Sequence, residues 1–231
     1  MRRTSSPAWL PLLLPVGRRS SLRGGRPMDQ VEPWAYGDPV RGPLSLDDVE
    51  ALLFRARTPA ERRTAAAQLT AWAEHVHPDD EDDVTPASLL VYAAEMLGRT
   101  GDHDAALHLY RRASTAEGVV APDVRCYLHH GLLEVGDEDG ARALADELRR
   151  ERPADLDVYV FIAEDYELAG DLVQAHRWLT MAVVRMDIDD PDDEAWSDPR
   201  TAGLLAARRR VRRALDMPED DYDVMAVPPI A

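Results

Sequence analysis

The chain has 231 residues, with 43 acidic against 27 basic side chains for a net charge of −16, and a single cysteine, Cys126. Such a length buries a sizeable core unaided, and one cysteine excludes both a disulfide scaffold and a cysteine-rich zinc module. The charge argues against nucleic acid as the partner of the main body, and no apolar run approaches the ~18 residues of a transmembrane helix.

In chain order, residues 1–27 carry six arginines and no acid, so all the negative charge lies beyond them. Pro7, Pro11 and Pro15 interrupt the apolar stretch that follows the basic start, and Arg18–Arg19 stands where a signal peptide would need small residues. The expectation for 1–44 is a disordered basic leader, with Met28 as an alternative start. Ser45 and Asp48 read as a capping box before Val49, Leu52 and Leu53. Thr58–Pro59–Ala60–Glu61 opens a second helix, with proline in the first turn. The run Asp79–Asp83 reads as a solvated loop.

From residue 87 the sequence becomes periodic. Gly101–Asp102, Gly136–Asp137 and Gly170–Asp171 recur at spacings of 35 and 34. Five residues after each glycine stands an alanine (Ala106, Ala141, Ala175), and seven further on come Ala113, Leu148 and Ala182. Seven before it stand Ala94, His129 and Ala163. Each unit therefore predicts a helix, a tight turn with glycine in the left-handed conformation, an aspartate at the next N-terminus, and a second antiparallel helix. Small residues let the two helices approach, while Leu97, Tyr110, Leu132, Tyr166 and Leu179 fill the space between them.

This pattern resembles the tetratricopeptide repeat (TPR) family over about residues 87–186. Leu90–Ala113 and Tyr159–Ala182 fit best, and 122–153 fits less fully because His129 and Ala145 replace the usual small and large residues. The expected fold is all-α: a helix-pair solenoid of three clear units over residues 45–216, with a degenerate unit before them and a capping helix after them. That last helix starts at Ser197–Asp198–Pro199, turns Leu204, Ala207, Val211 and Leu215 inward and Arg208, Arg209, Arg210, Arg212 and Arg213 to water. Residues 187–194 read as an acidic loop and 217–231 as an acidic tail.

Catalytic and metal signatures are absent from the sequence. The pairs His75/His77 and His129/His130 are badly spaced for one metal on a helix, and the acids of 187–194 lack the glycine and terminal glutamate of a calcium loop. Cys126 has no nucleophile motif around it. Glu95 and Glu164 fall in different units, with nothing in the sequence to tune them. The expectation is a non-catalytic protein without metal or cofactor.

The resemblance implies that first helices line a concave groove that receives partners. The groove-facing positions hold Tyr92, Tyr127 and Phe161, and, one turn on, Glu95, His130 and Glu164. These six are the candidate partner-binding residues, an aromatic strip edged with acid that suits a peptide or protein with apolar anchors and basic flanks. The Lys/Asn/Arg clamp by which some TPR modules hold acidic C-termini is missing. The expected role is a cytoplasmic adaptor, with neither nucleic acid nor membrane as partner. The alternative is a self-associating structural protein whose groove is filled by its own arm or a second copy.

Overall fold

The computed structural model describes residues 42–186 and 198–225; the expectations for the leader, the 187–194 loop and the end of the tail lie outside these residues. Among the described residues there are ten helices and no strand. They are α1 (Leu46–Arg55), α2 (Pro59–Glu74), α3 (Pro86–Gly98), α4 (His103–Ala113), α5 (Val124–Glu134), α6 (Glu138–Glu151), α7 (Leu156–Ala169), α8 (Leu172–Arg185), α9 (Pro199–Ala214) and α10 (Asp221–Met225). Consecutive helices pack on one another from α1 to α6 and from α7 to α10, and α5 also meets α3 and α7.

Local chemistry explains the boundaries. Ser45 and Thr58 each close a full capping box, with Asp48 and Glu61 returning the bond to the cap backbone. The three glycines adopt φ of 83°, 82° and 87°, which an L side chain resists. At each, the glycine N–H donates to the carbonyl three residues back and the aspartate N–H to the one five back, at 2.8–3.1 Å. This is the Schellman closure, made three times over. Asp137 and Asp171 then accept from the N–H of Gly140 and Gln174 at 3.0 and 3.1 Å. Asp102 caps nothing: its carboxylate is taken by the Arg63 guanidinium at 2.7 Å and the Thr100 hydroxyl at 2.8 Å.

Ala106, Ala141 and Ala175, and Ala113, Leu148 and Ala182, are all buried. One apolar core runs from Leu44 to Val211, beside a smaller cluster of Leu107, Leu132 and Ala141. Gly131 lets the Tyr110 ring approach α5 so closely that a Cβ there would stand 2.7 Å from the ring.

The C-terminal end departs from the sequence reading. Arg208 and Arg212 were expected on the solvated face of α9, yet they are only 4% and 6% exposed. The reason is α10, which folds back on α9. Arg208 pairs with Asp220 at 2.7 Å and with Asp223 at 3.4 Å, and Arg212 with Asp223 at 2.7 Å. Arg212 also donates to the Pro218 carbonyl. Residues 217–225 thus supply the counter-charges of a buried cluster.

No helix among the described residues is long and apolar enough to cross a membrane.

Candidate functional site

The packing of α3 on α5 and of α5 on α7 brings the six candidate residues into one neighbourhood. The aromatics do not share one environment. Tyr127 and Phe161 meet edge to face with centroids 5.0 Å apart, Tyr127 also lies 6.3 Å from Tyr110, and both are buried, at 3% and 9% exposed. The Tyr127 hydroxyl donates to the Ala121 carbonyl at 3.1 Å. These two rings chiefly seal the junction between helices. Tyr92 alone stays half-buried; burial, then the charges of Glu95, Glu50 and Asp83, push its hydroxyl up to about 12.

The polar candidates assemble around a residue the sequence reading passed over, Asp165. Its Oδ2 lies 2.8 Å from Nδ1 of His129 and its Oδ1 2.8 Å from Nδ1 of His130. His129 and Asp165 are buried, while the His130 side chain keeps 17% of its surface. Burial works against the charge on Asp165, but attraction to His130 and the bonds from both imidazoles outweigh it and hold the carboxyl below its ordinary range. For His130, burial opposes protonation, and Asp165, Glu134 and Glu95 overcome it, so the imidazole titrates above its usual value. His129 lies edge-on to the Tyr166 ring at 4.9 Å, and its Nε2 is buried without a hydrogen-bond partner among the described residues.

Two carboxyls flank this group. Glu95 is buried with Oε1 unbonded, and burial lifts it to about 7 against the pull of Arg99 and His130. Glu164, half-buried, is lifted to about 7 by burial and then by Asp165, against Arg210. Arg210 is committed to Glu167 through two bonds of 2.9 and 2.8 Å. The tuning that the sequence does not reveal thus comes from desolvation. Cys126 lies in the same junction; burial, then nearby aspartates, push its thiol well up, which disfavours the nucleophilic thiolate. The arrangement gathers two imidazoles and three carboxyls at a helix junction.

Asp165 carries no local mark in the sequence, because an aspartate inside a helix looks like surface. The corresponding residues of the other units are Met96 and Gly131, both buried, and that register is the signal that it points inward.

Across the molecule, two clefts open between second helices, away from these six residues. One of about 490 Å³ lies between α2 and α4, and one of about 650 Å³ between α6 and α8. Among the described residues no set of three His, Cys, Asp or Glu side chains is placed to hold a metal ion. Comparison with known proteins finds no family model, no curated protein and no solved structure that matches this chain.

Proposed function

We propose that residues 45–216 form a TPR-like helix-pair solenoid that acts in the cytoplasm as a non-catalytic interaction module. A partner peptide or protein with basic flanks lies along the face made by α3, α5 and α7. The observation that carries the reading is the side-by-side packing of these three first helices, which sets Glu95, His130 and Glu164 at one register on neighbouring helices. The glycine turns at spacings of 35 and 34 and the alanines around them support the same reading.

The described face is not uniform, which sharpens where contact falls. Along α3 every residue from Ala87 to Met96 is buried except Tyr92, whereas on α7 Val160 and Glu164 are half-buried and Asp157 is exposed. Contact is therefore expected on Tyr92, His130, Val160 and Glu164, with Tyr127 and Phe161 holding the face in shape.

The test compares capture of partners from the native host by the full chain and by a Val160→Arg, Glu164→Arg variant. Loss of a partner by the variant, with melting unchanged, supports the reading. A partner held equally by both moves the site off this face. A dimer in light scattering that the variant dissociates favours self-association instead.

A further inference from the structure

We propose that the cleft between α6 and α8 is a binding site for a small organic anion. A phosphate or carboxylate lies between Arg142 and Arg177, and an apolar, flat body lies over Tyr166, Trp178 and Met181. This site opens between the second helices with Tyr166 of α7 at its base, and it does not depend on the interaction module proposed above.

Two grooves in comparable positions differ in how their charges are placed. Between α2 and α4, opposite charges tie the walls together: Arg112 of α4 bonds Glu74 of α2 at 2.9 Å, and Arg63 of α2 bonds Asp102 at the start of α4 at 2.7 Å. The space between them is lined largely by Ala66, Ala67, Ala71 and Ala105. Between α6 and α8 no ion pair crosses among the described residues. Arg149 is satisfied by Asp146 on its own helix at 3.0 Å. Arg142 on one wall and Arg177 on the other are both exposed, line the cleft, and have no carboxylate partner among the described residues. Two cations facing one cavity repel each other unless an anion lies between them, and planar guanidinium groups grip carboxylate or phosphate through paired bonds.

The rest of the lining completes the chemistry. Met181 and the small surface left by the buried Tyr166, Trp178 and Ala145 form the floor, beside the polar Gln174, His176 and Thr180; Asp146, paired with Arg149, also lines the cleft. His176 is held below its ordinary value by burial and then by the nearby Arg208 and Arg212, against the pull of Asp220 and Asp223. Its Nε2 lies 3.2 Å from the Thr180 hydroxyl. A volume of about 650 Å³ accommodates a molecule of nucleotide size. A chain of net charge −16 attracts no anions in general, so binding here would report the local arginines.

The experiment uses the full chain and the fluorescent anion 8-anilinonaphthalene-1-sulfonate, displaced by AMP, by 2-naphthoate or by inorganic pyrophosphate. AMP or naphthoate is expected to displace the probe better than pyrophosphate; which of the two is stronger tells phosphate from carboxylate. The double variant Arg142→Gln, Arg177→Gln should weaken that ligand at least tenfold, with circular dichroism and melting unchanged. Arg111→Gln, an exposed arginine of α4 outside the cleft, should leave it unaltered. If the glutamine pair fails to fold, Arg142→Lys with Arg177→Lys keeps the charge, loses the paired geometry, and should still bind several-fold more weakly. Affinity unchanged in these variants, or no displacement by any of the three anions, overturns the site. Pyrophosphate matching the aromatic anions overturns the apolar half of the proposal.

Discussion

The middle helix pair and its neighbours occupy the same register with different chemistry. Seven residues before the turn glycine, α3 and α7 place Ala94 and Ala163, and α5 places His129; all three positions are buried. Where the outer units fill the position with a methyl group, the middle unit inserts an imidazole. Asp165, from the next unit, bonds its Nδ1 and also holds His130. A repeat thus tolerates a polar residue at a packing position when an adjacent unit supplies a hydrogen-bond partner. The departure from pattern then ties two units together instead of weakening one.

The strongest way to break this contrast is Asp165→Ala, which leaves two imidazoles without their carboxylate. Removal of one member of a buried charged group costs about 3 kcal/mol, and denaturant unfolding should show a loss of that order. A matched Ala163→Ser substitution, in the apolar counterpart, should cost far less. If both cost the same, the polar junction is not special.

Acidity separates the two regions next. Glu95 and Glu164 titrate higher folded than unfolded, so each contributes stability at low pH that is lost as pH rises towards about 7. His130, also raised, contributes below its unfolded value and loses that contribution as pH rises through its folded one. All three favour the acid side, so stability should fall from pH 5 to pH 8 by several kcal/mol. Asp165, held low, adds stability that disappears only as pH falls below its ordinary carboxylate range. Glu95→Gln should flatten the slope between pH 5 and 8, and a slope unchanged in this variant would place its origin elsewhere.

Gly131→Ala probes the middle pair without touching charge. The new Cβ meets the buried Tyr110 ring, and overpacking of this kind costs about 2 kcal/mol. Thermal melting should register it. The smallest effect belongs to the turns. Gly170→Ala meets no atom within 4 Å, so only its left-handed backbone opposes the change, at about 1 kcal/mol. Gly101→Ala should behave alike, since its turn is built the same way.

Much of the helical frame is legible in the sequence because local rules write it. Ser45 and Thr58 carry their caps within three residues, and the turn glycines need only their own backbone. What escapes reading depends on partners far along the chain. Asp102 reads as a cap until Arg63, 39 residues earlier, takes it. Arg208 and Arg212 read as solvated until Asp220 and Asp223 return to meet them. At the candidate site, the register of Tyr92, Tyr127 and Phe161 is plain in the sequence, but their different burial depends on how each helix meets the next. Asp165 has no local signature, since its meaning lies in two histidines 35 and 36 residues away.

Cys126 lies wholly buried in the junction where α5 meets its neighbours, and the chain holds no other thiol. It is therefore a built-in clock. A thiol reagent reaches it only when the middle pair opens, so the labelling rate counts those openings without any added probe. Asp165→Ala should make that clock run faster at a fixed pH, while Gly170→Ala, one unit away, should leave it nearly untouched.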